Sequence, residues 1–333
     1  MLTTRFTTLL GIEHPVALGG MGVGTSAALV SAVSAAGGLG ILGATHLTPA
    51  QLQAEVAAIR AQTDRPFGLN YLLAFIEEER FAAGLAARPA VLSFAWPWPE
   101  QDLAAYFARA HAVGALVIHM VSTAAEAVRA AAAGADVIVA QGTEGGGHVG
   151  QMGTMVLVPQ VARVVPDRPL LAAGGVADGR GLAGALALGA DGVLLGTRFL
   201  ATPEAPIPAS FKQAILDSDG TDTVLTEIPD IAVGRVWPGA LNRVRRNRLI
   251  AEWAGREWLL RQRRAEVGAL LQRAREIGDA ENGSLGMGQT AGLIDRLEPA
   301  GDLVRRIAAE AEQIITGRLA GLVTASTAPA PRP

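Results

Sequence analysis

The chain has 333 residues, half of them hydrophobic and 40 of them Gly, so it can bury a large core and is not intrinsically disordered over most of its length. Its 28 basic residues nearly balance its 31 acidic ones for a net charge of −3, and without a basic block we expect neither nucleic acid nor an anionic membrane as partner. The absence of Cys excludes disulfides and thiolate chemistry and favours a reducing, cytoplasmic location.

Short apolar runs recur at a steady interval along the first two hundred residues. The predicted buried strands are Val16–Leu18, Leu39–Leu42, Phe67–Asn70, Val91–Phe94, Ala115–Ile118, Val137–Ala140, Leu170–Ala173 and Val193–Leu195. Helix-length segments separate them, and two of these begin with a capping box, at Thr48 and Thr123. Four of the predicted helices end in a glycine just before the next strand, at Gly37, Gly114, Gly134 and Gly189.

Strands that are apolar on both faces and alternate with helices indicate a parallel sheet covered on both sides. Eight near-equal units favour an α/β fold of the (β/α)8 TIM barrel type over a doubly wound open sheet. The uncharged segment Ala27–Ala44 has the hydropathy of a membrane helix, but four glycines interrupt it. It is therefore predicted as a helix, a turn and a buried strand.

The regular alternation stops after Leu200. Residues Asp217–Asp230 are largely polar, and the Arg-rich, amphipathic stretch Leu241–Ile277 is predicted to form helices with a solvated charged face. Leu303–Leu322 is predicted as a final amphipathic helix. The tail, residues 324–333, consists almost entirely of Ala, Ser, Thr and Pro and is expected to be disordered.

The loops after the seventh and eighth strands are rich in glycine. They contain Gly174-Gly175 and Gly196-Thr197, at the end of the barrel where phosphate groups are usually bound. Glycine lets backbone N–H groups approach a phosphate, and a following helix adds a favourable dipole. We therefore predict a phosphate site, with simple tight turns as the alternative.

The loop after the sixth strand, Gln141–Gly150, holds five glycines around Glu144 and His148. A histidine can exchange a proton near pH 7 or donate a hydrogen bond to an anion. His148 is accordingly the candidate catalytic residue, with a structural hydrogen bond as the alternative. No metal is expected, because no second histidine lies near and the loop is not a helix.

Other strand ends carry weaker signals. Gly22–Ala27 fits a dinucleotide fingerprint but lacks the acidic residue that binds ribose, so close backbone approach to a flat ligand, or a tight turn, is favoured. Asn70 is predicted to read a polar ring edge or to be a buried amide satisfied by backbone. Trp96 and Trp98 could wall a substrate pocket or cap the barrel. His119 could face a cofactor or be structural.

Together these motifs resemble the nitronate monooxygenase family, formerly called 2-nitropropane dioxygenases, which are FMN-dependent (β/α)8 barrels. The resemblance rests on Gln141–His148, on Ala172–Gly179 with Gly196–Leu200, and on Gly288–Ile294. It extends over nearly the whole chain, and the loop with His148 is its more specific part. This chain has Gly145 where the family usually has Ala, and Gly20 where many members have Pro.

The resemblance implies a set of FMN contacts and a domain organisation. The expected cofactor-binding residues are Met21, Gly22, Asn70, Gln141, Gly146, Gly147, Gly174, Gly175, Gly196, Thr197 and Gln289. His148 would be catalytic and would face the substrate together with Trp96. Residues 1–210, completed by 285–323, would form the barrel, and residues 211–284 a smaller, mostly helical domain covering the substrate.

The implied reaction is oxidation of an alkyl nitronate, such as propionate 3-nitronate, by O2 to a carbonyl compound and nitrite through a flavin semiquinone. The alternatives are an NAD(P)H-dependent reductase of enoyl-acyl-carrier-protein or quinone type, and a non-catalytic flavin-binding protein. Without Cys the chain cannot be one of the similar purine-nucleotide dehydrogenase barrels. The single lysine, Lys212, lies outside the barrel strands, which argues against a Schiff-base aldolase. A homodimer is the expected assembly.

Overall fold

The computed structural model describes residues 2–323, which form a closed barrel of parallel strands wrapped by helices. The strands are, in chain order, β1 (Val16–Leu18), β2 (Gly40–Gly43), β3 (Phe67–Leu72), β4 (Val91–Ala95), β5 (Leu116–Val121), β6 (Val137–Gln141), β7 (Gly147–Val149), β8 (Leu170–Ala173), β9 (Gly192–Leu195), β10 (Thr223–Thr226) and β11 (Leu241–Arg245). Eight of them are hydrogen-bonded in the order β1-β9-β8-β6-β5-β4-β3-β2, and a parallel bridge between Ala17 and Leu39 closes the ring. The predicted TIM barrel is confirmed.

Helices alternate with the barrel strands as predicted. They are α1 (Arg5–Leu10), α2 (Ala27–Ala35), α3 (Pro49–Gln62), α4 (Glu78–Ala86), α5 (Leu103–Ala112), α6 (Ala124–Ala132), α7 (Thr154–Val164), α8 (Gly179–Ala187), α9 (Thr197–Leu200), α10 (Ala209–Leu216), α11 (Ile228–Val233), α12 (Arg248–Trp253), α13 (Glu257–Gln262), α14 (Arg264–Ile277) and α15 (Ala300–Gln313). The capping box at Thr48 is confirmed. At Thr123 only the N-cap bond forms, because the Glu126 carboxylate accepts from the Ser122 N–H instead. The final α-helix ends at Gln313, before the predicted Leu322, and continues as π and 3₁₀ turns.

Glycine geometry explains how the helices end. The four predicted helix-ending glycines all have positive φ, namely +85° at Gly37, +83° at Gly114, +102° at Gly134 and +98° at Gly189. The uncharged segment 27–44 divides into α2, a turn and β2, as predicted. Within residues 2–323, none of the helices has both the length and the apolar character needed to span a membrane.

The hydrophobic core has two concentric parts. Inward-pointing side chains such as Ile41, Val139 and Leu171 fill the barrel and pack with Phe6 and Leu10 of α1. A larger layer lies between the strands and the surrounding helices. This packing leaves the loops at the C-terminal ends of the strands to build the site.

The segment between α10 and α14 has a core of its own, formed by residues such as Ile228, Trp253 and Leu260. The predicted helices of Leu241–Ile277 begin later than expected, because Leu241–Arg245 forms strand β11. It pairs antiparallel with β10 on one side and with β7 on the other, so this small sheet ties the segment to the sixth barrel loop. The domain boundaries at 211 and 284 stay predictions, and the expected disordered tail at 324–333 lies outside the described residues.

Candidate active site

A cavity of about 480 Å³ opens at the C-terminal ends of the barrel strands and is bounded on one side by β7 and β11. This volume is within the range of small-molecule and cofactor sites. Most of the predicted site residues line it, namely Met21, Gly22, Asn70, Trp96, Gln141, Gly146, Gly147, His148, Gly174, Gly175, Gly196 and Thr197. Gln289, the other expected cofactor-binding residue, does not line the cavity. It is exposed and its backbone N–H donates to the Glu144 carbonyl, whereas its neighbour Thr290 lines the cavity.

The predicted phosphate loops form a backbone concavity. Gly174 and Gly175 have φ of +84° and +75°, and within the described part of the chain their N–H groups make no hydrogen bond. A Cβ at Gly174 would lie 2.7 Å from the Gly142 carbonyl oxygen, so a side chain is excluded there. Gly196 precedes α9, whose first residue Thr197 is buried and accepts a hydrogen bond from the Gly288 N–H at 2.9 Å. Free N–H groups in this arrangement suit an anion such as a phosphate.

The first strand-end loop packs tightly against Asn70. The Asn70 Nδ2 donates to the Gly20 carbonyl at 3.2 Å, so the amide is satisfied by backbone while the residue also lines the cavity. A Cβ at Gly20 would lie 2.2 Å from the Asn70 Cβ. This contact excludes a side chain at position 20 in the packing seen here. Gly22 has open space beside it, which leaves its backbone accessible to a ligand.

Two side-chain amides at the cavity have unused hydrogen-bonding capacity. Gln141 Oε1 and Asn242 Oδ1 are buried and have no partner among the described residues. Both residues line the cavity. Because a buried polar atom without a partner costs about 1–3 kcal/mol, a bound molecule with matching polar edges would relieve this cost.

His148 is held by residues of the covering segment. It lies on β7 opposite Asn242 of β11, and its Nε2 is 3.0 Å from both carboxylate oxygens of Asp230. The Trp237 ring stacks on the imidazole with centroids 3.4 Å apart and planes at 12°, and its Nε1 donates to Asp230 Oδ1 at 3.0 Å. A carboxylate is an acceptor, so Nε2 carries a proton.

The other imidazole nitrogen, Nδ1, is therefore the one left available for a ligand. Among the described residues nothing hydrogen-bonds to Nδ1 of His148, and the residue lines the cavity. A neutral His148 presents Nδ1 as a proton acceptor, whereas an imidazolium presents it as an N–H donor to an anion. This orientation by a carboxylate is the arrangement that general-base histidines commonly use.

Glu144 does not act with His148. Both of its carboxylate oxygens lie 3.0 Å from the Thr154 N–H, and Oε2 accepts from the Thr154 hydroxyl at 2.9 Å. The carboxylate thus braces the sixth strand-end loop against the start of α7. Among residues 2–323 no group of three or more His, Cys, Asp or Glu is placed to hold a metal.

The charge of the cavity favours anions. Arg235 and Arg275 line it together with His46 and His148, and none of the described lining residues is Asp or Glu. Burial lowers the pKa of Arg275 and of His46. Arginine keeps its charge under such a shift because its pKa starts far above neutrality. An anionic ligand in the cavity therefore meets these arginines, and no carboxylate of the described lining opposes them.

The remaining predicted residues separate into two groups. Trp96 lines the main cavity in a left-handed backbone conformation (φ +53°) and packs edge-on to Trp237. Trp98 and His119 lie outside the main cavity. His119 is 2% exposed, and burial, aided by the charge of Arg129, lowers its pKa to about 3, so it is a neutral imidazole.

Sequence reasoning missed the residues that the covering segment contributes, above all Asp230 and Trp237. Nothing in the polar stretch around Asp230 distinguishes it from its neighbours. One signal was present: Trp237-Pro238 repeats the Trp-Pro pair that begins at Trp96, and both tryptophans meet beside His148. The two tryptophans of this repeat both line the cavity.

The chain is a TIM barrel, and its strand ends carry a glycine-rich backbone concavity and a histidine bonded to a carboxylate. Active sites of TIM-barrel enzymes lie at this end of the barrel. The family model described as nitronate monooxygenase matches residues 3–80 and 75–310. The chain belongs to this family of oxidoreductases.

Three relatives illustrate the range of the family. A protein of Mycobacterium tuberculosis named (3aS,4S,5R,7aS)-5-hydroxy-7a-methyl-1-oxo-octahydro-1H-indene-4-carboxyl-CoA dehydrogenase is 35% identical over 93% of this chain and 96% of its own. The structure of FabK from Thermotoga maritima has 35% identity and a TM-score of 0.86, covering 97% of this chain and 100% of that one. Nitroalkane oxidase from Streptomyces ansochromogenes has 30% identity and a TM-score of 0.81, covering 94% and 99%.

Proposed function

We propose that the chain is an FMN-dependent nitronate monooxygenase that oxidises an alkyl nitronate with O2 to a carbonyl compound and nitrite. The observation that carries the proposal is His148, which lines a cavity whose described lining has cationic side chains and no carboxylate, and whose Nδ1 has no hydrogen-bond partner among the described residues. A nitronate is an anion, so this lining attracts it. The similarity to a nitroalkane oxidase supports the same substrate class.

The cofactor assignment follows from the donors and acceptors at the cavity. The free N–H groups of Gly174 and Gly175, with Gly196 and Thr197 beside them, would hold the FMN phosphate. The unpartnered Oε1 of Gln141 offers an acceptor to a flavin ring edge. When bound at these residues, FMN would supply the redox chemistry between the substrate and O2.

The protein supplies position and charge. As an imidazolium, His148 donates from Nδ1 to a nitronate oxygen while its Nε2–H continues to donate to Asp230. With a neutral nitroalkane, the same Nδ1 accepts the proton from the carbon that bears the nitro group. In both cases Asp230 compensates the positive charge and Trp237 fixes the ring plane.

The decisive assay compares two electron donors. FMN-loaded protein is given propionate 3-nitronate in air, and nitrite release and O2 uptake are measured; a parallel sample receives NADH without nitronate. We expect nitrite with the nitronate and slow oxidation of NADH. In His148→Asn, turnover should fall while the FMN content stays the same. Full nitronate turnover in this variant would refute the role of His148.

A second candidate is an NAD(P)H-dependent reductase, of enoyl-thioester or quinone type. The similarity to a protein named as a carboxyl-CoA dehydrogenase favours it, and Arg235 and Arg275 at the cavity suit the phosphates of a large anionic substrate. Rapid bleaching of the flavin by NADH, without nitrite from the nitronate, would select this function.

A further inference from the structure

A second cavity of about 390 Å³ lies beside the main one. Four residues line both cavities and therefore lie between the two spaces, namely Trp96, Met120, Gln141 and Trp237. We call the second space the side pocket. Its position next to His148 and its stacking partner Trp237 makes it reachable by a molecule that occupies the main cavity.

The walls of the side pocket are mainly apolar. They come from the Trp-Pro-Trp-Pro turn that begins at Trp96, from Leu103 of α5 and from Val121 of β5. Two charged residues at its edge are engaged elsewhere: the Glu126 carboxylate accepts from Ser122, and Arg129 donates to the Gln101 carbonyl. The two charges have opposite signs and both line the pocket, so the lining favours neither an anion nor a cation, and its mainly apolar walls favour an uncharged group.

One polar side chain in this wall has no partner. His119 is 2% exposed, its Nδ1 is buried, and neither ring nitrogen makes a hydrogen bond within the described part of the chain. Burial keeps this imidazole neutral, with a pKa of about 3. A neutral imidazole offers one donor and one acceptor. Because its hydrogen-bonding capacity is unused and it lines the pocket, it can recognise a carbonyl or hydroxyl group.

We propose that the side pocket binds the apolar, uncharged part of the substrate, a cyclic or branched group that carries a carbonyl or hydroxyl near His119, while the reacting group lies in the main cavity. An apolar cavity of about 150 Å³ holds a benzene molecule, so the side pocket has room for roughly ten to fifteen carbon atoms. A three-carbon nitronate leaves it unused. The preferred substrate is therefore much larger than propionate 3-nitronate.

One residue that lies between the two cavities, Met120, can adjust its side-chain conformation to such a substrate. Met120 is unbranched and changes shape at low cost. The inference rests on the proposed function for the identity of the reacting group, but binding in the side pocket is measurable without turnover.

The test uses two ten-carbon bicyclic probes, 1-tetralone and its carbonyl-free analogue tetralin, with FMN-loaded protein in isothermal titration calorimetry. We expect 1-tetralone to bind the unchanged chain. Leu103→Phe places a larger, rigid ring at the wall of the side pocket and should weaken binding at least fivefold, whereas the volume-conserving control Leu103→Met should stay within twofold. His119→Phe should weaken 1-tetralone about fivefold, the value of one neutral hydrogen bond, and tetralin less than twofold.

Two controls keep the result interpretable. Leu103 lines the side pocket and not the main cavity, so Leu103→Phe should retain its FMN content and its turnover of propionate 3-nitronate. Leu103 is also part of the core, so both Leu103 variants are compared at a temperature at which they are folded. Absence of 1-tetralone binding to the folded, FMN-loaded protein, or equal binding by Leu103→Phe, would overturn the proposal. Unchanged 1-tetralone affinity in His119→Phe would overturn the role of His119. A protein that binds 1-tetralone but releases no nitrite would refute the proposed function and leave the side pocket established.

Discussion

Replacement of Asp230 by Asn removes one negative charge from the group that orients His148. In the structure the Asp230 carboxylate accepts from His148 Nε2 at 3.0 Å through either oxygen and from Trp237 Nε1 at 3.0 Å. The Asn amide keeps one acceptor oxygen, so one of these bonds survives. Its NH2 group cannot accept, and its neutral oxygen cannot compensate an imidazolium.

The expected loss follows from these bonds. A hydrogen bond that involves a charged group is worth about 1.5–3 kcal/mol, and part of it survives in the amide. We therefore expect a loss of about 2 kcal/mol in transition-state stabilisation, which corresponds to roughly thirtyfold in kcat. FMN affinity should change less than twofold, because Asp230 does not line the cavity.

Nitrite release under saturating nitronate measures kcat, and flavin fluorescence titration measures FMN affinity. Asp219→Asn is the matched control, since Asp219 is exposed and its carboxylate bonds only to Thr221 of its own turn. It should keep the full kcat. If Asp230→Asn turned over as fast as Asp219→Asn, the orienting role of the carboxylate would be refuted.

Three further predictions concern other parts of the chain. Gly174→Ala should lower FMN affinity at least tenfold in a fluorescence titration, because its Cβ would lie 2.7 Å from the Gly142 carbonyl oxygen and its φ is +84°. An unchanged FMN affinity would refute the phosphate site at Gly174 and Gly175. Glu144→Gln should lower the free energy of unfolding by about 1–3 kcal/mol in urea, because the Thr154 N–H and hydroxyl lose a charged acceptor; an unchanged midpoint would contradict this bracing. His119 has its pKa lowered to about 3 by burial, so the unfolded chain binds an extra proton between about pH 6.5 and pH 3. In that window the free energy of unfolding should fall with decreasing pH, more steeply in the unchanged chain than in His119→Phe. The difference in slope should reach up to about 1.4 kcal/mol per pH unit. Equal slopes in urea denaturation measured at several pH values would contradict this prediction.

The sequence was most informative about the barrel. The strand starting at Val16 and the one ending at Ala173 have the predicted bounds, and the other barrel strands differ from prediction by a few residues at most. The reason is that both faces of these strands are buried, which makes each an uninterrupted apolar run bounded by turn residues. Local patterns of this kind are independent of distant parts of the chain.

The covering segment was predicted less well. Leu241–Arg245 was assigned to a helix because its charges and apolar residues also suit an amphipathic helix, but pairing with β7 and β10 decides for a strand. Strand formation there depends on a partner more than ninety positions away, at Gly147–Val149. Local propensity cannot report such a partner.

The sequence by itself determined the strand-end loops and hence the barrel side of the cavity, since in a barrel every strand delivers its following loop to one face. Only the tertiary structure decided what those residues do. It bonded Glu144 to Thr154 and His148 to Asp230, although Glu144 is four positions from His148 and Asp230 is 82 positions away. The physical reason is that a hydrogen bond depends on distance in space, and the β7–β11 pairing brings a remote segment to within 3.0 Å of the imidazole.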